Sequence, residues 1–261
     1  MRFRSLALAT DVALLELGGS VVEEGEDHVI VRTPRNPQYW WGNFLVARAH
    51  FEDAQRWDDT CVAAFPDSTH VAVALDDDRP VTSDLTLCWI RAGLLYTASI
   101  ALTAAELAEP PHPHPTAVCR PLTSDADWGQ SVALQQAGYG RDDPEGYRVF
   151  LENRVRTTRG LVEAGHGQWF GAFVGGRMLC GMGLFAVGDG LATFQDVDTH
   201  PGARRQGLAG TLMHHVAGWG LAELGAQRLV VVADAGDEAI RLYRTLGFVD
   251  EDLLHQFDRD R

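Results

Sequence analysis

At 261 residues the chain is long for one compact domain and comfortable for two, and its 46% hydrophobic content is ample for ordinary cores. The formal net charge is −14, and arginine supplies all 22 basic residues, so an acidic surface without a basic run argues against nucleic acid as a partner. The four cysteines, Cys61, Cys88, Cys119 and Cys180, form no C-x-x-C pair; they read as small buried hydrophobes in a reducing compartment, not as a zinc site or disulfide framework.

Met1-Arg-Phe-Arg and the apolar residues after it start like a leader peptide, but Asp11 and Glu16 interrupt the run too early. The least charged stretch, Ala92–Ala105, has 14 residues, short of the ~20 of a membrane helix. The expectation is a cytoplasmic protein with no membrane partner. Residues 1–108 predict a helix over Leu6–Leu17 and strands near Val21–Glu23 and His28–Arg32. An aromatic cluster, Tyr39-Trp40-Trp41-Gly42-Asn43-Phe44, leads into Leu45–Ala47. A helix at Glu52–Ala64 and strands at Val71–Leu75 and Leu94–Ile100 follow. Helices alternating with strands predict an α/β or α+β domain.

The clearest seam is Glu109-Pro-Pro-His-Pro-His-Pro115, where four prolines in seven positions exclude a helix or central strand and favour a stiff, extended connector. His112 and His114 have no further ligand nearby, so a solvated linker over 109–115 is the reading preferred to a metal site.

In residues 116–261 a strand near Ala117–Pro121 precedes the capping signal Thr123-Ser-Asp125 and a helix through Ala137; a second helix covers Pro144–Ala164. Strands Trp169–Val174, Arg177–Val187 and Leu191–Thr199 are joined by glycine turns at Gly175-Gly176 and Gly188-Asp189-Gly190. Then come the loop Pro201–Gln206, a helix Gly207–Leu224, a strand Arg228–Ala233, a helix Asp237–Leu246 ending at Gly247, and a last pair of strands.

The crossover Val197-Asp-Thr-His-Pro201-Gly-Ala-Arg204-Arg-Gln-Gly207-Leu-Ala209-Gly-Thr-Leu212 carries the chemistry. The first turn of a helix leaves free N–H groups at the positive end of its dipole. Arg204 and Arg205 lie just upstream, and Gly207, Ala209 and Gly210 allow a ligand close to the backbone. Such a turn suits a pyrophosphate. It is neither a Walker loop nor a G-x-G-x-x-G fingerprint.

This segment resembles the GNAT superfamily of N-acyltransferases, whose signature [Q/R]-x-x-G-x-[G/A] is met by Arg204-x-x-Gly207-x-Ala209. Ala239-Ile-Arg-Leu-Tyr243-Arg-Thr-Leu-Gly247-Phe248 resembles the family's second hallmark, and the likeness runs from about Thr116 to Phe257. The resemblance implies a mixed, mostly antiparallel central sheet flanked by helices in 116–261, with a second α/β domain before it that could be a degenerate copy of the same fold. It implies transfer of an acetyl or other short acyl group from acetyl-CoA, or another acyl-CoA, to an amine acceptor, either a small molecule or a peptide N-terminus. The backbone of Val197, Asp198 and Thr199 would meet the pantetheine arm. Arg204, Arg205, Gln206, Gly207, Leu208, Ala209 and Gly210 would hold the pyrophosphate, and Tyr243 would protonate the departing thiolate. Tyr243 also fits an apolar stripe with Ala239, Leu242 and Leu246, as a core aromatic would.

Where relatives often carry Asn, seven residues before that tyrosine, this chain has Gly236. Relatives that use a general base often take it from the strand before the loop, on the face that here carries Thr193 and Gln195, neither of which can act as a base. Asp196 and Asp198 alternate to the other face unless a bulge shifts the register; Asp196 is the nominee, with proton removal through water as an equal alternative. The resemblance implies acceptor selection by the first two helices and their connection, with Tyr139, Asp142 and Tyr147 as candidates. The alternative function is a non-catalytic acyl-CoA-binding regulatory or interaction protein.

Overall fold

The computed structural model of the chain describes residues 2–77, 81–138 and 144–261. These divide into two compact units that are not contiguous in sequence. The first comprises Met1–Ala101, Val232–Asp237 and Glu251–Arg261; the second comprises Leu102–Val231 and Glu238–Asp250. Among the described residues no helix is long and apolar enough to cross a membrane.

The first unit opens with α1 (Leu6–Leu17), whose N-cap Ser5 accepts the Leu8 N–H at 3.3 Å. Strands β1 (Val21–Glu24), β2 (His28–Arg32) and β3 (Phe44–Ala47) form an antiparallel meander. Helix α2 (Ala54–Ala64) crosses over to β4 (His70–Leu75), which lies parallel to β3. Next come α3 (Ser83–Arg91), absent from the sequence reading, and β5 (Leu95–Ala104), whose first seven residues belong to this unit. The final strand, β11 (Val249–Asp260), is continuous where a pair was expected, and its second half runs antiparallel to β4, with His255 opposite Leu75 and Asp260 opposite His70. Phe257 of β11 stacks on Trp89 of α3 at 4.4 Å in the core, and Arg259 makes a two-pronged ion pair with Asp58 of α2 at 2.9 Å for both bonds.

In the second unit, strands β6 (Val118–Pro121), β7 (Gly167–Val174), β8 (Arg177–Gly188), β9 (Leu191–Thr199) and β10 (Arg228–Asp234) are neighbours in that order. They pair antiparallel except for the parallel junction of β9 and β10. Helices α4 (Asp125–Gly138), α5 (Pro144–Glu163), α6 (Leu208–Ala222) and the short α7 (Ala239–Thr245) complete the unit. Each unit is thus a mixed, mostly antiparallel sheet with flanking helices. The order meander, helix, parallel strand, helix occurs in both.

The start of α4 is a reciprocal cap. Ser124 Oγ accepts the Asp127 N–H at 3.1 Å, while the Asp127 carboxylate accepts the N–H groups of Thr123 and Ser124 at 3.1 and 3.3 Å. Arg120 of β6 adds two bonds to the same carboxylate, at 2.9 and 2.6 Å, and holds its pKa well below the usual carboxylate range. Asp127→Ala is expected to cost about 2 kcal/mol in urea unfolding, because four donors lose a buried acceptor while half-exposed Arg120 regains water. Since the folded carboxyl is the stronger acid, this contribution is present above the ordinary carboxylate range and fades as pH falls below it. An unchanged unfolding midpoint at pH 7 would contradict the assignment.

Candidate active site

The site begins where β9 and β10 part. Their parallel pairing covers Leu191 with Arg228, Ala192 with Leu229 and Thr193 with Val230. Strand β9 continues to Thr199 on its other neighbour, with Asp198 opposite Gly181 and Thr199 opposite Cys180 of β8. The far half of β9 therefore offers one edge of peptide groups, Val197–Thr199 among them, away from β8. In the first unit, β3 and β4 stay paired through Ala47 and Leu75, and the Asp76 N–H then bonds the Ala47 carbonyl at 2.9 Å. That unit has the strand–helix–strand frame without the parting.

A bulge interrupts β9 before the parting reaches its end. Gln195 is opposite Gly183 and Asp198 opposite Gly181, so Asp196 and Val197 together face one residue of β8. Asp196 takes the left-handed φ of 45° that absorbs the extra residue. Residues directly opposite on paired strands share a face, so Asp198 lies with Gly181, Gly183 and Gln195. This is the shift on which the sequence reading of the two acids turned.

The two carboxylates differ in partners. Asp196 is joined to Arg154 of α5 at 2.7 Å. Asp198 is part-buried, and its pKa is pushed up to about 7, first by burial and second by the charge of Asp196, against the opposing pull of Arg154 and Arg204. A carboxylate with that acidity accepts a proton reversibly near neutral pH. Arg154 went unnoticed in the sequence because α5 carries several arginines and nothing in its spacing marks this one. On the same face of α5, Tyr147 stacks on Phe150 at 5.7 Å, and the Arg154 guanidinium lies 5.8 Å from the Phe150 ring centre. Tyr147 thus belongs to a row of side chains that leads to Asp196. Tyr139 and Asp142 lie outside the described residues.

Beyond β9 a 3-10 turn, Pro201–Ala203, is capped by His200, whose Nδ1 accepts the Gly202 N–H at 3.2 Å. That gives His200 a structural task. Arg204 and Arg205 are exposed, and Arg205 has the left-handed φ of 58°. Gly207 is the N-cap of α6 with φ of 83° and supplies no side-chain cap, so the amides of Leu208, Ala209 and Gly210 open the helix. The buried face of α6 includes Leu208, Leu212 and Val216. The glycines have a second use that the sequence did not show. A Cβ on Gly207 would come within 2.0 Å of the His112 carbonyl oxygen, and one on Gly210 within 3.2 Å of Pro110 Cβ. The Pro-rich segment passes here.

Tyr243 on α7 is 4% exposed, its ring edge-on to Phe248 at 6.1 Å, and Phe248 meets Phe194 of β9 at another 6.1 Å. These rings tie Tyr243 to the strand that carries Asp198. At the start of α7, Asp234 Oδ1 accepts the Gly236 N–H at 2.9 Å, and the helix N-cap is Glu238 without a side-chain bond. Asp234 therefore shapes the turn before the helix.

Residues 133–248 match the family described as Acetyltransferase (GNAT) family. No curated protein matches the sequence. A conserved protein of unknown function from Staphylococcus epidermidis superposes with a TM-score of 0.69 at 11% identity, over 92% of this chain and 93% of that one. A GCN5-related N-acetyltransferase from Kribbella flavida gives 0.65 at 16% identity, over 97% and 96%. A tandem GNAT protein from the clavulanic acid biosynthesis pathway gives 0.55 at 13% identity, over 96% and 94%. The chain therefore has the fold of the GNAT acyl-CoA N-acyltransferases, and residues 133–248 are the part that matches the family's model.

Proposed function

We propose that a chain with a GNAT domain at this position transfers an acetyl or other short acyl group from acyl-CoA to an amine by direct attack in a ternary complex. The observation that carries this reading is the parting of β9 and β10 beyond Thr193 and Val230, together with an uncapped helix start at Gly207. The parted edge, Val197–Thr199, fits an extended amide-bearing arm. The amides of Arg205–Gly210, with the Arg204 and Arg205 side chains, fit a pyrophosphate, and this fit rests on the open first turn of α6.

The chain's own groups divide the proton work. Amine nitrogen forms a bond to the thioester carbon, and the carbon–sulfur bond breaks. Asp198 takes the proton released by the attacking nitrogen, directly or through water, and the Tyr243 hydroxyl supplies one to the departing sulfur. Asp196, held by Arg154, acts on this scheme only by raising the basicity of Asp198. The base role nominated for Asp196 thus passes to its neighbour. The acceptor would enter along the Tyr147–Phe150 side of α5, where the overall acidity of the chain favours a cation.

The test is calorimetric titration of acetyl-CoA and CoA into wild type and an Arg204→Glu/Arg205→Glu variant, both positions being exposed. Wild type is expected to bind with micromolar affinity, ~8 kcal/mol, and the variant at least about tenfold more weakly. A wild-type protein that binds neither would overturn the reading. The second function, cofactor binding without turnover, draws on Gly236; it would be favoured if CoA binds and no amine panel releases thiol.

A further inference from the structure

The segment Glu109–Pro115 is docked along its backbone. Its entry is fixed by a hydrogen bond from the Ala108 N–H to the Leu246 carbonyl at 2.9 Å, and its exit runs into β6, where Val118 is opposite Phe173. Between these anchors it crosses α6. Pro110 lies beside Gly210, the His112 carbonyl faces Gly207, and the His114 N–H bonds Thr211 Oγ1 at 2.8 Å. Positions 207, 210 and 211, three and four apart, lie on one flank of the helix. The first-turn amides instead point along its axis, so the contacts wall the turn without occupying the direction in which an anion would arrive. Thr211 Oγ1 itself donates to the Gly207 carbonyl at 2.8 Å, so one hydroxyl joins the crossing segment to the N-cap.

We propose that residues 109–115 are a strap that positions the first turn of α6 for its ligand, so that anion affinity depends on chain outside Arg204–Gly210. The proposal rests on the acyl-CoA reading for the identity of that ligand. The prolines suit the task. Each fixes φ near −65°, so little freedom is lost when the strap docks. Where the strap crosses, Gly207 and Gly210 are needed by the chain's own backbone as much as by a ligand. Thr211 is on this account a positioning residue, acting through His114 and Gly207.

The experiment compares wild type, Thr211→Val, which removes the hydroxyl and keeps the shape, and Thr211→Ser, which keeps the hydroxyl. CoA and inorganic pyrophosphate are each titrated by calorimetry, and hydrogen exchange is followed in peptides covering 109–116. The expected result is that either ligand slows exchange of the strap in wild type, that Thr211→Val binds about tenfold more weakly, and that Thr211→Ser restores wild-type affinity. Normal affinity in Thr211→Val with a faster-exchanging strap would overturn the proposal. Strap protection by pyrophosphate without CoA binding would uphold the strap and sink the acyl-CoA reading. A strap whose exchange neither ligand alters in wild type would sink the strap, whatever the variants do.

Discussion

Asp198→Asn is expected to lower kcat by roughly 100- to 1,000-fold near neutral pH, with CoA affinity unchanged because the backbone edge of β9 is kept. The reason is the proton chemistry of a carboxylate whose pKa is pushed up to about 7 by burial and by Asp196. Below that pH the group is protonated and takes no further proton, so wild-type kcat/KM should rise through about pH 7 and level off above it. The Asn variant should lack that limb. Stability moves the other way. The folded state holds this proton more tightly than the unfolded chain, so the stability linked to it is complete at acid pH and lost as pH rises through about 7. Asn carries no charge at any pH. The variant should therefore melt a few degrees above wild type at pH 8 and gain little at pH 4. A variant that keeps its turnover, or is slow but melts lower at pH 8, would show that Asp198 serves structure instead.

Tyr243→Phe is expected to reduce kcat by roughly 100-fold while CoA binding and melting temperature stay near wild type. The ring remains packed edge-on against Phe248, and only the hydroxyl is lost. Because that hydroxyl is assigned to the leaving group, the deficit should shrink with a thioester whose thiol is a stronger acid and departs without help. Single-turnover kinetics with two such donors would measure it. Full activity in the Phe variant would return Tyr243 to the apolar stripe it forms with Ala239, Leu242 and Leu246.

Much of the frame was legible because local signals agreed with it. Helix α1 and strands β2 and β9 begin and end where periodicity and glycine turns place them, and α6 differs only at its ends. Helix α3 was missed. Its span, Ser83-Asp-Leu-Thr-Leu-Cys-Trp-Ile-Arg91, has few strong helix formers, and burial of Trp89 supports it from outside the segment. In place of the expected last pair of strands, the single strand β11 runs from Val249 to Asp260, and its Asp252 accepts the Leu6 N–H at the start of α1. Within the site, the loop Arg204–Gly210 and Tyr243 could be named from sequence because their meaning is local. The bulge at Asp196, the pairing of Arg154 with it, and the path of residues 109–115 could not. Each depends on what the rest of the fold places opposite, and a single chain read in order carries no mark of its distant neighbours.

The return of β11 to β4 has a consequence for how the protein comes into being. Residues 1–101 leave the ribosome before the strand that completes their sheet, Glu251–Arg261, with the bulk of the second unit made in between. Until then β4 presents an open row of peptide groups, and Trp89 lacks the Phe257 ring that stacks on it. The first unit, begun earlier, therefore receives its last segment only after the second unit's last segment, Glu238–Asp250, has been made. The second unit has its β6–β10 strands in hand while the first is still waiting, and the interval in between is when the nascent chain is most open to wrong partners.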